Sequence, residues 1–320
     1  MIFSLIVSVR NKYYDSQKHV KTSKIPVISI GNISSGGTGK TPVSIFLISK
    51  LQKLGFQPIC IGRNIHPQSK NTIFSDPTNP KDVSVIGDEL CLVQEKCSIP
   101  ILSTTSKSKA VIEFEEYFLS TFKKPLYIID DGFQHRAISR NVDIVLVDDE
   151  TINGRLIPFG KNREPISSLQ RADVILNFCK NTPKEYFLNF SNNVFEAKKE
   201  YSKLYFLQNE IPLNQKNIFV LSSIAKPKKF RNDLLLQGNT ISGYIDFPDH
   251  HNYSLNDIKR ISKDFLHSGA LYFVTTEKDV VKLKKYSDFC NSFPIHVYPQ
   301  IVTIEDDSLL LKKILHKISK

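Results

Sequence analysis

The run Gly31-Asn32-Ile33-Ser34-Ser35-Gly36-Gly37-Thr38-Gly39-Lys40-Thr41-Pro42 constrains this chain more than any other segment. It follows the apolar Ile25-Pro26-Val27-Ile28-Ser29-Ile30 and precedes the helix-like stretch 43–51, so it reads as strand, glycine loop, helix. With no side chains at Gly36, Gly37 and Gly39, backbone N–H groups can turn inward around phosphate oxygens. The new helix offers its positive end to the same anion. Within Gly36-Gly37-Thr38-Gly39-Lys40-Thr41, the expected roles are Lys40 on the β- and γ-phosphates and the Thr41 hydroxyl on a Mg²⁺ that bridges them. The strict spacing departs at one place, where its first glycine falls on Ser34.

At 320 residues and 41% hydrophobic content, the chain can bury the cores of two domains. Its 43 Lys and Arg exceed 32 Asp and Glu, a net charge of +11 that favours an anionic partner: nucleic acid, a phosphorylated metabolite or an acidic membrane surface. No nucleic-acid recognition signature accompanies that charge, so no nucleic-acid partner is expected, and no obligate protein partner is evident. Five cysteines at 60, 91, 97, 179 and 290, with no C-x-x-C pair, indicate reduced thiols and no zinc site.

The N-terminal Met1-Ile2-Phe3-Ser4-Leu5-Ile6-Val7-Ser8-Val9 is apolar but far shorter than the roughly 20 residues that span a bilayer. It also lacks the layout of a signal peptide. Ile2, Leu5, Ile6 and Val9 share one helical face, and Arg10, Lys12, Lys18, Lys21 and Lys24 follow. Such a helix either lies in a membrane interface or packs on the protein's own core. Beyond it, short β-branched runs alternate with helical stretches, which indicates a doubly wound, mainly parallel α/β sheet. The expected organisation is an N-terminal amphipathic segment at 1–24, a P-loop NTPase-like domain at 25–192, an extended two-segment connector at 193–215 and a smaller α/β domain at 216–320.

Leu126-Tyr127-Ile128-Ile129-Asp130-Asp131-Gly132-Phe133-Gln134-His135 is an apolar strand that delivers two carboxylates to its rim, where Asp130 or Asp131 would hold Mg²⁺ directly or through water. Gln134 and His135 continue into that rim and would orient phosphate or substrate. Asp88, in Ile86-Gly87-Asp88-Glu89, either caps the helix that follows or serves as a base for an acceptor hydroxyl. The Asp249-His250-His251 cluster is the other candidate base. In the long loop 154–165, Arg155 and Arg163 are placed to clamp phosphate, and Thr276 is read as the cap of the helix after Val274-Thr275.

Together these segments resemble the lipid A 4′-kinase family, also called tetraacyldisaccharide 4′-kinases. The segments that carry the resemblance are the glycine loop, Gly87-Asp88-Glu89, Asp130-Asp131-Gly132-Phe133-Gln134-His135, and Gly154-Arg155-Leu156 with Pro158, Gly160 and Arg163-Glu164-Pro165. Asp249-His250-His251 and Thr276-Glu277-Lys278-Asp279 complete the set. The resemblance implies ATP-dependent phosphorylation of the 4′-hydroxyl of an acylated disaccharide 1-phosphate, with ATP and Mg²⁺ as cofactors. It also implies peripheral attachment to the anionic cytoplasmic face of a bacterial inner membrane. Asp88 matches the family's proposed base and His250 its partner; Lys40, Thr41, Asp130 and Asp131 match the nucleotide and Mg²⁺ set. Asn32, Arg63, Glu89, Gln134, His135, Arg155, Arg163 and Glu164 are the substrate-binding positions so implied. Where family members commonly carry Ser-Arg-Gly-Tyr, this chain has Gly62-Arg63-Asn64-Ile65, which keeps the arginine and loses the glycine and aromatic. A membrane-recruited P-loop ATPase of the partitioning type is the competing class, and Asp88 with His250 discriminates, because hydrolysis by water needs no such pair.

Overall fold

The computed structural model describes the backbone of residues 2–16, 18–64, 71–201, 205–206 and 216–319, with side chains from residue 6 onward except at 201, 205 and 206. Two compact units emerge. The first comprises Met1–Lys81, Val93–Lys199 and Val302–Lys320; the second comprises Asp82–Leu92 and Glu200–Ile301. The expected second domain ran from 216 to the C-terminus, and the compact units divide the chain at other places. The segment carrying Asp88 belongs to the second unit, and the last helix, Asp307–Ile318, returns to the first. That helix buries Leu310, Ile314 and Ile318, and Lys50 on the glycine-loop helix donates to Asp307 at 2.5 Å.

The first unit is built on β1 (Val27–Asn32), β2 (Gln57–Arg63), β3 (Ile73–Ser75), β4 (Ile101–Thr104), β5 (Pro125–Asp130), β6 (Val142–Val147), β7 (Val174–Asn177) and β8 (Val194–Tyr201). The second contains β9 (Tyr205–Phe206), β10 (Asn217–Ser222), β11 (Thr240–Asp246), β12 (Tyr272–Thr276) and β13 (Ile295–Tyr298), after which β14 (Gln300–Ile304) joins the first sheet. Among the described residues the larger sheet has the order β14-β8-β7-β6-β1-β5-β2-β4-β3, parallel from β8 to β4, with β3 antiparallel at one edge. The smaller sheet runs β11-β10-β12-β13-β9, parallel except for the last pair.

Continuous apolar runs explain why β1, β5 and β6 are central. Every residue of β1 and β6 is buried, as a parallel strand covered on both faces requires. One face of this sheet packs Val27, Ile59, Tyr127 and Ile129 with Val111 and Phe118; a second cluster gathers Ile33, Phe133, Val145, Val147, Leu169 and Phe187. The glycine-loop helix, Lys40–Lys53, buries Val43, Leu47, Ile48 and Leu51 along one stripe. In the second unit, helix Leu255–Ser268 opens with a capping box of Ser254 and Asp257, ends at left-handed Gly269, and packs Ile258, Ile261 and Phe265 against Phe219 and Phe273.

The expected connector resolves differently. Its first segment is β8, paired in parallel with β7, because Phe195 and Ala197 alternate inward and complete the sheet. Its second lies largely outside the described residues, apart from β9, which pairs with β13. None of the five cysteines is joined to another in a disulfide.

The N-terminal helix, Ile2–Asp15, presents Val7, Arg10, Asn11 and Tyr14 to the first unit. Val7 is buried, Arg10 donates to the Gln134 carbonyl, Asn11 donates to Glu164 at 3.3 Å, and Arg136 donates to the Asn11 carbonyl and to Asp15. The opposite face leaves Ile6 57%, Val9 61% and Tyr13 48% exposed. The side chains of Ile2 and Leu5, on which part of that expected face rests, lie outside the described residues. Among the described residues no helix is long and apolar enough to cross a membrane.

Candidate active site

The glycine loop leaves β1 in the middle of the larger sheet. Gly36 has φ +117° and Gly39 φ +93°, left-handed conformations that free the backbone N–H groups to converge and that disfavour a side chain. A Cβ on Gly36 would meet no atom within 4 Å, so open space lies over the loop at that point. Lys40 begins the helix and extends its ammonium to within 3.4 Å of Asn32 Oδ1 and 3.4 Å of Asp131 Oδ1. Thr41 is buried at the first turn, and buried Asn32 donates to Thr38 Oγ1 at 2.8 Å, fixing the loop from beneath.

Strand β5 lies directly beside β1, with Asp130 in register with Ile30, which is why the two carboxylates arrive next to the loop. Asp131 follows the strand at φ +48°, an uncommon conformation for a side-chain-bearing residue and one that clusters at functional sites. Arg163 grips both its oxygens, at 2.8 and 2.7 Å, and also donates to Asn32 Oδ1 at 2.6 Å. Burial works to raise the Asp131 carboxyl, but the Arg163 hydrogen bonds and the Lys40 charge prevail and hold it well below the usual carboxylate range. Loop 154–165 reaches this place by pairing along the glycine loop. Ser35 N donates to the Lys161 carbonyl at 2.7 Å and Arg163 N to the Ile33 carbonyl at 2.7 Å.

Of the other expected contacts in the first unit, Gln134 donates to the Asn32 carbonyl at 2.9 Å and to Glu164 at 3.1 Å, and Glu164 is buried against Arg171 at 2.8 Å. These side chains join the Asn32 and Arg163 cluster. Arg155 does not: it is exposed, while its backbone carbonyl accepts from Asn162 N at 3.0 Å. His135 is exposed, and Arg63 is exposed at the end of β2 with Ile65 beyond the described residues.

Two lysines that no motif announces stand at the same place. Lys107, buried on the helix Lys107–Glu113, donates to the backbone carbonyls of Asp130 and Asp131; burial lowers its pKa. Lys199 on β8 lies against the Cα of Gly39, its ammonium 3.0 Å from where a Cβ would stand.

In the second unit, Asp88 opens the helix Asp88–Cys97, and its Oδ1 accepts from Glu89 N at 2.9 Å. Helix-end stabilisation is therefore part of its environment. Its dominant partner is His250, whose Nδ1 stands 2.9 and 3.0 Å from the two carboxylate oxygens. Burial would raise the Asp88 carboxyl, but the His250 hydrogen bond and the charges of Lys278 and Lys282 bring it down to about 2. The same hydrogen bond raises the His250 pKa above its ordinary value. The two adjacent histidines part ways: His251 Nε2 is 3.1 Å from Asp257, at the start of the next helix, and stacks on Phe247. His250 has φ +61°, the turn that sends the neighbours in opposite directions. Glu89 pairs with Lys278, and Thr276 caps its helix by accepting from Asp279 N at 3.2 Å.

Thr41, Asp130 and Asp131 offer hard oxygen donors beside a loop shaped for phosphate, which fits a Mg²⁺ held by few protein ligands and completed by phosphate oxygens and water. Among the described residues no group of three or more His, Cys, Asp or Glu could hold a metal ion by itself.

The tetraacyldisaccharide-1-P 4′-kinase family model matches residues 1–319. A tetraacyldisaccharide 4′-kinase of Bdellovibrio bacteriovorus is 32% identical over 305 residues, covering 89% of this chain and 87% of the relative. The Aquifex aeolicus tetraacyldisaccharide 4′-kinase is 28% identical over 327 residues, covering 99% and 96%. Among solved structures, LpxK from Aquifex aeolicus in complex with ATP superposes with a TM-score of 0.77 at 27% identity, covering 99% of this chain and 96% of that one. A match that runs from the N-terminal helix through the glycine loop and the Asp88 and His250 segments leaves one assignment: the chain belongs to the tetraacyldisaccharide-1-P 4′-kinase family.

Proposed function

We propose that this chain transfers the γ-phosphoryl group of ATP to the 4′-hydroxyl of a tetraacylated disaccharide 1-phosphate. Bound ATP with Mg²⁺ supplies the electrophilic phosphorus and an ADP leaving group whose developing charge the metal shares. The chain's own residues do the rest. The Gly36 to Lys40 backbone and the Lys40 ammonium cradle the β- and γ-phosphates, and Thr41 with Asp130 and Asp131 holds the metal. Arg163 keeps the Asp131 carboxylate aimed and charged, so that it does not swing away when Lys40 turns to phosphate.

Asp88 takes the proton of the 4′-hydroxyl as that oxygen bonds to phosphorus and the β,γ-bridging bond breaks. His250 orients the carboxylate and stabilises its charge. This pair is the observation that carries the reading, because a switch that hydrolyses ATP with water has no need of a carboxylate so partnered. Glu89, Gln134, His135, Arg63, Arg155 and Glu164 remain candidate contacts to the phosphorylated disaccharide.

A tetraacylated acceptor stays in a bilayer, and the exposed Ile6, Val9 and Tyr13 face supports attachment of the N-terminal helix to an anionic membrane surface. The assay is direct: purified protein with ATP, Mg²⁺ and the disaccharide 1-phosphate in detergent micelles yields ADP and 4′-phosphorylated product in equal amounts. ADP release with no phosphorylated lipid would support the partitioning-type ATPase instead.

A further inference from the structure

Lys282 is 1% exposed, on the helix Glu277–Leu283, inside a cluster that neither the glycine loop nor the Asp88 and His250 pair explains. Its ammonium lies 3.0 Å from Asp279 Oδ1 and 3.7 Å from Asp88 Oδ2, donates to Ser223 Oγ, and sits 5.4 Å from the centre of the Tyr253 ring. Asp279 is wholly buried and saturated: it accepts from Tyr253 Oη at 2.9 Å, Thr276 Oγ1 at 2.7 Å, Ser223 N at 3.2 Å and Ser223 Oγ. Ser223 in turn accepts from His250 N at 3.3 Å through its carbonyl. One buried ion pair therefore touches Asp88 directly and holds the turn on which His250 stands.

A lysine buried this deeply is costly unless its charge is matched, and a structural match to Asp279 alone would leave no reason for the ammonium to face Asp88 as well. We propose that Lys282, clamped by Asp279, is a positioning residue that fixes the Asp88 carboxylate in the orientation in which it meets His250 and the acceptor hydroxyl. The assignment rests on Asp88 being the base. It also explains the Thr276-Glu277-Lys278-Asp279 segment, in which Thr276 and Asp279 build the clamp and Lys278 secures Glu89 next to Asp88.

The charged and titratable groups around Asp88 are His250, Lys278 and Lys282, with Glu89, Asp249 and Asp279 behind them. Removing one of the three cations raises the carboxyl's proton affinity and loosens its orientation. Lys282→Met is expected to lower kcat by about 10-fold or more, leave KM for ATP and lipid acceptor within about twofold, and move the acid limb of the kcat profile to higher pH. That variant also strands Asp279 as a buried charge, so the paired variant Lys282→Met/Asp279→Asn, which removes both charges together, is measured beside it with the same expectation. Adding Asp88→Asn to the paired variant should cost scarcely more than Asp88→Asn alone.

A folded paired variant with wild-type kcat and an unmoved acid limb, in an enzyme that Asp88→Asn inactivates, overturns the role of Lys282 and leaves the base reading standing. If Asp88→Asn itself turns over at the wild-type rate, the base reading falls and the inference falls with it. A drop in melting temperature with an unchanged acid limb would reduce Lys282 to a structural partner of Asp279.

Discussion

Arg163 donates through both terminal nitrogens to the two oxygens of Asp131, at 2.8 and 2.7 Å, while the ammonium of Lys40 stands 3.4 Å from the same carboxylate. A planar fork can hold a carboxylate at two points, and an ammonium cannot. Arg163→Lys is therefore expected to keep the charge but lose the geometry, lowering kcat by roughly 10–100-fold with the melting temperature little changed. Steady-state kinetics with thermal unfolding checks this, and a wild-type kcat for the lysine variant would remove Arg163 from the machinery.

Lys40 contributes charge rather than packing, since its ammonium meets polar atoms of Asn32 and Asp131. Lys40→Ala should leave the fold intact and cut phosphoryl transfer on the order of 10³-fold. Circular dichroism and product formation together decide the matter.

The Asp88 and His250 pair makes stability depend on pH at both ends. His250 is raised above its ordinary 6.5, so its contribution is fully present below that value and is lost as pH rises through the higher folded value. Asp88 is lowered to about 2, so its contribution is present above its ordinary 3.8 and is lost as pH falls toward 2. The melting-temperature difference between wild type and His250→Gln should be largest between about pH 4 and 6.5 and shrink on either side. A difference that stays flat from pH 4 to 9 would mean that the pair is not linked to folding.

On the N-terminal helix, Ile6→Ser with Val9→Ser removes two exposed apolar side chains and touches none of the Val7, Arg10 and Asn11 contacts that hold the other face. The double variant should sediment less with anionic liposomes and show a raised KM for the lipid acceptor, with KM for ATP unchanged. Unaltered liposome binding would show that the membrane is reached by another surface.

Gly31 is buried beside Phe133, and a Cβ there would stand 2.7 Å from Phe133 N. The strand cannot yield without separating β1 from the Asp131 turn. Gly31→Ala should therefore destabilise the protein by about 1–3 kcal/mol, read by denaturant unfolding.

Much of this was legible in the sequence because the signals are local. A glycine loop between an apolar run and a helix, an apolar strand ending in Asp130-Asp131, and Thr276 at the head of its helix each carry their meaning within about ten residues. Short or interrupted elements were not legible. Strand β3 has three residues, too few for an alternation to show, and β14 follows β13 with only Pro299 between, so no loop marks the passage from one sheet to the other. Nor could spacing tell His250 from His251, since the choice depends on a positive φ and on a carboxylate 162 residues away. Lys107, Lys199 and Lys282 are ordinary lysines in sequence and acquire their surroundings only when distant strands and helices close around them.

The second unit takes Asp82–Leu92 from one part of the chain and Glu200–Ile301 from another, so no single cut releases it whole. A fragment spanning 200–301 would keep His250, Lys282 and Asp279 but leave Asp88 behind on the helix that continues to Cys97. Dissection by truncation will thus yield a clamp with nothing to hold. An isolated version of this unit calls for a rearranged gene in which residues 82–92 are spliced, through a designed linker, to the segment they serve.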